Sequence, residues 1–316
     1  MKYIPSLVVL IASLVFLSSC GDGLPKPVVF PKATHLYFAD YTGKKIGVMD
    51  VNIPGSFTTV ADESKGVDTI ASIAIDFIGG KIYAAEEMRN RIVRFNVDGT
   101  GSVEVLYDEA DSVKTPTSIA INVPTSSLYW GNSGTGQIKK GSMDGSATAE
   151  SLRFNGVDSV IYYSYGLAVD KKNEWIYFSD LSGFAGIWAG KLDGKSSRFS
   201  LFSKYSENGA VLRNPSSIFL DEEHAKIYWA DEGLKSISVG NIGTSSSTFL
   251  FNYSSGVNRA DGIAVDRGSG KIYWTETDAA NDSFVIARGN LDGTGTREVV
   301  LQGVASYSIA LKFEGQ

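Results

Sequence analysis

The feature that most constrains this chain is a pair of short segments that recurs six times along it. The first segment is an apolar run that usually ends in aspartate or asparagine, and its copies are SIAID (72–76), SIAIN (118–122), GLAVD (166–170), SIFLD (217–221), GIAVD (262–266) and SIALK (308–312). The second is centred on a tyrosine, and its copies are HLYFAD (35–40), KIYAAE (81–86), SLYWGN (127–132), WIYFSD (175–180), KIYWAD (226–231) and KIYWTE (271–276). Equivalent positions recur every 45 to 51 residues, which is the spacing of propeller blades.

Each repeat contains two further segments. The third begins at an isoleucine and runs to a turn such as Val97-Asp98-Gly99 or Leu291-Asp292-Gly293, and the fourth is short and apolar. Short apolar or alternating runs joined by Asp-Gly turns are typical of β-hairpins. The sequence therefore predicts an all-β fold, a six-bladed β-propeller of four-stranded blades.

The two ends of the repeat array complete each other. The first repeat has its tyrosine segment but no apolar segment before it, and the last apolar segment, Tyr307 to Lys312, has no tyrosine segment after it. We expect this C-terminal strand to pair with the N-terminal blade. Such pairing closes the ring and leaves no open strand edge between the ends.

The tyrosine segments resemble a known repeat family. Tyr228-Trp229-Ala230-Asp231 and Tyr273-Trp274-Thr275-Glu276 are similar to the YWTD repeats of the low-density-lipoprotein-receptor family, and the resemblance covers residues 33–316. Ala84 and Gly131 depart from the pattern. The resemblance implies a six-bladed propeller. It implies no particular ligand, because the family's ligands are recognised by loop residues outside the repeat.

The N-terminus has the features of an export signal. Lys2 supplies a positive charge, and an apolar run from Leu7 to Leu17 follows, too short to cross a hydrocarbon core of ~30 Å as a helix. The run ends in Leu-Ser-Ser-Cys20, which resembles a bacterial lipobox. The alternative is an ordinary secretory signal with an unused cysteine.

This interpretation divides the chain into three parts. We expect a lipoprotein signal peptide at 1–19, a lipidated Cys20 with a proline-rich tether to residue 32, and the propeller at 33–316. The predicted location is the cell envelope, with the lipid anchored in a membrane. An outer membrane facing the periplasm and the cell surface both fit.

Composition limits the partners. The net charge is −6 and no basic stripe is present, so nucleic acid is not an expected partner, and contact with a membrane is expected through the N-terminal lipid only. Cys20 is the only cysteine, which excludes an internal disulfide, and the two histidines exclude a site of three imidazoles. We expect a monomer.

Loop lengths distinguish the two faces of the disc. The spacing from the end of the first segment to the tyrosine of the second is always seven residues, as from Asp76 to Tyr83, and we call the face with these turns the uniform face. The opposite, variable-loop face carries loops of unequal length, namely 62–71, 154–165 and 203–216 with turns 180–186 and 276–284. Variable loops on a rigid scaffold usually carry recognition.

The variable loops supply candidate ligand-binding residues. These are Tyr162, Tyr163, Tyr165, Tyr205, Tyr253 and Arg259. Amphipathic aromatic side chains of this kind anchor protein or sugar ligands. The alternative is that the tyrosines pack the loop bases and that the arginine is solvated.

Acidic and amide residues also recur near this face. Asp68, Asp111, Asp158, Asn258 and Asp261 are candidate ligands of a hard cation such as Ca²⁺, and no other cofactor is expected. The alternative, which the sequence favours, is that most of them cap turns.

The predicted function is non-catalytic. We expect a membrane-anchored recognition or scaffold propeller that binds a protein, peptide or glycan through the loops of one face. The alternative is a cation-dependent hydrolase or lactonase acting at the channel mouth. Asp261 is the only carboxylate among the residues that begin the innermost strands. His35 begins a strand and His224 lies on the uniform face, so no catalytic residues are assigned.

Overall fold

A computed structural model describes residues 29–154, 157–158 (backbone only), 163–181, 185–203, 212–278 and 283–316. These residues form six antiparallel sheets of four strands each, within one compact unit, Pro31–Gln316. The predicted six-bladed propeller is confirmed. Period-2 alternation explains the strands, because residues of one face of each sheet pack against the next blade.

The blades share one strand order from the axis outward. The innermost strands are Ile70–Asp76, Pro116–Asn122, Leu167–Asp170, Pro215–Asp221, Ile263–Asp266 and Ser306–Phe313. The second strands are Ala33–Asp40, Lys81–Glu86, Ser127–Asn132, Trp175–Asp180, Lys226–Asp231 and Lys271–Thr277. The third strands are Lys45–Asp50, Arg91–Asn96, Gln137–Ser142, Gly186–Lys191, Ser236–Asn241 and Phe284–Asn290. The outer strands are Thr58–Ala61, Glu104–Tyr107, Glu150–Ser151, Phe199–Ser203, Ser247–Phe251 and Glu298–Gln302.

Short 3₁₀ helices and a two-stranded ribbon lie in the connections between the strands. The described 3₁₀ helices are Glu63–Lys65, Glu109–Asp111, Val123–Thr125 and Tyr253–Ser255, and Arg153–Phe154 pairs with Val157–Asp158 in a small ribbon. In the described ranges, no helix has the length and apolar character needed to span a bilayer.

The ring closes as the sequence predicts. The C-terminal strand Ser306–Phe313 pairs antiparallel with Ala33–Asp40, so that Phe38 lies opposite Ile309 and Tyr37 opposite Ala310. Arg288 adds a bond across this seam, since its Nη1 donates to the carbonyl of Val51 at 3.0 Å.

Aspartates explain the constant spacing on the uniform face. Asp76 ends an innermost strand, and its carboxylate accepts the backbone N–H of Gly79 at 2.8 Å. The same turn is closed at Asp170 by Asn173 N–H, at Asp221 by His224 N–H and at Asp266 by Ser269 N–H. Each of these carboxylates accepts the amide three residues on, which favours one turn length. The turn after Asn122 keeps that length without such a bond and contains the 3₁₀ helix Val123–Thr125.

Aromatic stacking joins neighbouring blades. Phe202, from the end of one blade, packs at a tilt against Trp229 of the next, with 5.1 Å between ring centroids. Gly240 makes room for it, because a Cβ there would lie 2.3 Å from the Phe202 ring. The same joint pairs Tyr107 with Trp130 at 5.0 Å, Phe154 with Phe178 at 5.9 Å and Phe251 with Trp274 at 5.2 Å.

Candidate ligand-binding site at the channel mouth

β-Bulges shape the start of the innermost strands on the variable-loop face. Ile70 pairs with Glu86 and Ser72 with Ala85, so Ala71 is an extra residue without a partner. Thr117 is extra in the same way between Pro116 and Ser118. Bulges at the rims of sheets redirect side chains. The residues at this position around the axis are Ala71, Thr117, Tyr165, Ser216, Asp261 and Tyr307.

A second set of side chains comes from the residue that follows each second strand. Tyr41 and Glu87 hold this position in the first two blades, where their N–H groups donate to the carbonyls of Ala305 at 2.8 Å and Thr69 at 3.1 Å. The two sets together enclose a cavity of about 250 Å³ at the channel mouth. It is lined by Tyr41, Ala71, Glu87, Tyr165, Leu181, Ser216, Glu232, Arg259, Asp261 and Tyr307.

Three tyrosine rings form much of its wall. The rings of Tyr41 and Tyr307 meet edge to face with centroids 5.3 Å apart, and Tyr165 lines the cavity beside them. Burial raises the pKa of both Tyr41 and Tyr165 to about 12, so these phenols are neutral at physiological pH. The nearby Glu87 carboxylate adds to the rise in the pKa of Tyr41.

The carboxylates of the mouth are electrostatically strained. Burial, reinforced by repulsion from Glu232, raises the pKa of Asp261 to about 7, and Arg259 only partly offsets this. Burial also raises the pKa of Glu87. Arg259 is held by Glu232, which accepts its Nε–H at 3.0 Å and lies 2.9 Å from its second terminal nitrogen.

The channel beyond the mouth is different in character. A cavity of about 380 Å³ follows the axis between the innermost strands and is lined by apolar side chains that include Ile75, Phe77, Phe219 and Phe313. Tyr165 lines both cavities. The channel therefore has an acidic mouth on the variable-loop face, whereas its interior is lined by apolar side chains together with Ser72, Ser217, Ser308 and Lys171.

The structure places four of the predicted ligand-binding residues. Tyr165 and Arg259 line the mouth, whereas Tyr163 and Tyr253 are 56% and 62% exposed. The Tyr163 carbonyl accepts the N–H of Leu181, a mouth residue, at 3.1 Å, and Lys235 Nζ lies 4.8 Å from the centre of the Tyr253 ring. Tyr162, Tyr205 and the predicted lipidation site Cys20 lie outside the described residues.

The predicted cation ligands have varied surroundings. Asp68 is 9% exposed, pairs with Arg89, lies 3.2 Å from Lys44 and accepts the Thr69 N–H. Asp111 closes a capping box with Asp108.

The remaining predicted cation ligands do not complete a group. Asp261 lines the mouth. The Asn258 Oδ1 is buried and accepts no hydrogen bond from the described residues. The Asp158 side chain lies outside the described part of the chain. No group of three or more His, Cys, Asp and Glu side chains that could hold a metal occurs in the part of the chain described. Calcium binding and the cation-dependent hydrolase stay predictions.

The acidic and amide residues that end the second strands have the structural role expected of turn and loop caps. Glu86 accepts the N–H of Asp68 at 2.9 Å, and Glu276 accepts that of Asn258 at 2.9 Å. Asp231 accepts the N–H of Arg213 at 2.8 Å and that of Leu234 at 2.8 Å. These side chains fix the loops that surround the mouth.

The mouth residues that sequence reasoning missed include Tyr41, Glu87, Glu232 and Tyr307. A signal was available in the repeat. Three of them immediately follow the acidic position that ends the second strand, and Tyr307 holds the same position as Asp261 at the start of an innermost strand. Reading both positions across the blades would have identified the cavity wall.

Comparisons with known proteins support the fold. No protein-family model matches the chain. The cueball proteins of Drosophila ananassae and Drosophila grimshawi are 27% and 28% identical over 137 and 140 residues, covering 43% and 44% of this chain. The matched part spans only 20% and 22% of those two proteins.

A solved structure resembles the whole propeller. A chain in the crystal structure of a nidogen/laminin complex superposes with a TM-score of 0.72 at 17% sequence identity, covering 88% of this chain and 97% of that chain. This likeness shows the fold. The six-bladed propeller implied by the resemblance to YWTD repeats is therefore confirmed.

Proposed function

We propose that this chain is a non-catalytic recognition propeller, held at an envelope membrane by a lipid on Cys20, that binds a partner at the variable-loop face. The mouth cavity carries this proposal, because it presents tyrosine rings beside ionisable groups at the centre of that face. Concave sites with a few convergent polar groups are the usual place for ligands.

A protein or peptide is the partner class we favour, with a glycan as the alternative. The superposed chain comes from a complex of two proteins, nidogen and laminin, and this supports a protein ligand for the same fold. The variable-loop face supports it as well, since Tyr163 and Tyr253, which we call the rim tyrosines, offer exposed aromatic area. Tyrosine is enriched among the residues that dominate protein interfaces.

The rim tyrosines provide the test. The full chain in detergent is immobilised and used to capture proteins from solubilised envelopes, and the captured partner is quantified by mass spectrometry. Replacing Tyr163 and Tyr253 together with alanine should lower capture about tenfold or more, because two interface anchors are each worth about 1 kcal/mol or more. The melting temperature should not change, since both side chains are exposed.

Ile78→Ser is the matched control. Ile78 is 90% exposed in a turn of the uniform face, so its replacement also removes an exposed apolar group. Capture by Ile78→Ser should equal that of the parent. Equal capture by the double tyrosine variant, or equal loss in the Ile78 variant, would remove the assignment of binding to the variable-loop face.

A further inference from the structure

The channel mouth holds more negative than positive charge. Three of its lining residues are carboxylates, and Arg259, its one cation among the described residues, is paired with Glu232. Among the described residues, no lysine, arginine or histidine makes an ion pair with Glu87 or Asp261. These two carboxylates therefore face the cavity without an ion pair, and the charge of Arg259 offsets the raised pKa of Asp261 only in part.

These carboxylates are unfavourable in the empty mouth. A carboxylate removed from water without a compensating cation is costly, and its pKa rises as a result. Both Glu87 and Asp261 show this rise, with desolvation as the main cause. A bound cation would reverse it.

The tyrosines favour the same kind of ligand. A cation near the face of an aromatic ring is attracted by the ring's π-electrons, by about 0.5–1 kcal/mol at exposed sites and about 2 kcal/mol or more when it is desolvated. Tyr41, Tyr165 and Tyr307 all line the cavity.

Volume and charge disfavour large, anionic and apolar occupants. At about 250 Å³, the mouth is smaller than the roughly 300–1,000 Å³ of typical small-molecule sites, and it has room for the end of one side chain. An anionic group would be repelled by Glu87 and Asp261. An apolar group would complete their desolvation without pairing them.

We propose that the mouth binds the ammonium or guanidinium group of a lysine or arginine side chain in a basic segment of the partner. This inference rests on the proposed function, and it adds the chemistry that selects the partner. Glu87 and Asp261 pair with the cation, and the tyrosine rings enclose its aliphatic stem.

Three peptides test the proposal on the unaltered full chain in detergent. Each is a nine-residue Gly/Ser peptide with one central residue: lysine, norleucine or glutamate. Norleucine keeps the aliphatic stem of lysine and lacks its charge. By fluorescence polarisation, the lysine peptide should bind at least tenfold more tightly than the norleucine peptide, and the glutamate peptide should bind most weakly. Equal binding of lysine and norleucine peptides, or no binding of the lysine peptide, would overturn the proposal.

Two variants locate the effect. The double variant Glu87→Gln/Asp261→Asn should bind the lysine peptide about tenfold or more weakly than the parent does, and it should no longer prefer lysine to norleucine. Glu222→Gln is the control, because Glu222 is also a carboxylate whose pKa is raised by burial, but it follows Asp221 in a turn of the uniform face. An unchanged lysine preference in the double variant would contradict the assignment.

The two proposals fail separately. If the rim tyrosine variants lose the captured partner but the peptides show no lysine preference, the recognition function stands and the cation site falls. If the lysine preference is present but the rim tyrosine variants capture the partner as well as the parent does, the cation site stands and the assignment of partner binding to the variable-loop face is wrong.

Discussion

Replacing Asp261 with asparagine should stabilise the protein, and the gain should depend on pH. Burial and the neighbouring Glu232 raise the pKa of Asp261 from its ordinary value of 3.8 to about 7 in the folded state. Between these two values the folded protein holds a proton that the unfolded chain releases. Stability therefore falls as the pH rises through this window, and the loss is complete above pH 7. Asparagine has nearly the same shape and does not ionise.

The magnitude follows from the two pKa values. Each pH unit within the window is worth about 1.4 kcal/mol, so the raised pKa of Asp261 lowers the free energy of unfolding by up to about 4 kcal/mol at pH 8 and by about 1.5–2 kcal/mol at pH 5. The advantage of the asparagine variant should thus be about 2–3 kcal/mol larger at pH 8 than at pH 5. For a domain of this size, that difference corresponds to roughly 3–5 °C in melting temperature.

Urea unfolding of both proteins at pH 5 and pH 8 measures the effect. Glu150→Gln serves as the control, because it makes the same charge change at an exposed position on an outer strand. Its effect on stability should be small at both values. A destabilised Asp261 variant at pH 8, or an advantage that is the same at pH 5 and pH 8, would refute the reasoning. It would show that burial in the mouth does not raise the pKa of Asp261.

Other predictions concern the ring and its anchor. Phe251→Ala should lower the free energy of unfolding, measured in urea, by about 3–5 kcal/mol, because the fully buried ring is stacked on Trp274. Phe249 lies two residues earlier and is 48% exposed, so Phe249→Ala should cost about 1 kcal/mol or less. A similar loss for both would contradict the blade-joint packing. Deleting residues 306–316 should abolish cooperative thermal unfolding and promote aggregation, because it exposes the edge of the N-terminal strand. Removing only the last three residues should leave cooperative unfolding intact and cause no aggregation. Cys20→Ser should move the protein from the membrane fraction to the soluble fraction when fractions are compared by immunoblot, and unchanged membrane association would contradict the lipid anchor.

The repeat made the fold predictable to the level of blades and their closure. Except in the closing blade, the strands of a blade come from residues that are close in sequence. The alternation of these strands, their Asp-Gly turns and the capping aspartate exemplified by Asp76 can therefore be recognised directly. The closing strand could be inferred because the two end repeats were incomplete in complementary ways. The resulting pairing of Phe38 with Ile309 follows from that symmetry.

The binding site was only partly predictable. Tyr165 and Arg259 were identified from the variable loops, and Asp261 was singled out as the one carboxylate that begins an innermost strand. Their neighbours Glu87 and Tyr307 were not recognised, since in sequence each is simply the residue next to a repeat motif. Asp68 looks like a cation ligand in the sequence, but in the structure it is neutralised by Arg89 and Lys44, which come from other turns.

The sequence alone thus determined the architecture: six blades, their strand order, the closing strand and the division into two faces. The physical reason is that hydrophobic periodicity and turn chemistry act within a blade. Tertiary structure alone decided what the channel mouth presents, because only the closed ring brings Tyr41 and Tyr307 from its two ends into contact. The burial that raises the pKa of Asp261 also exists only once the blades converge on the axis.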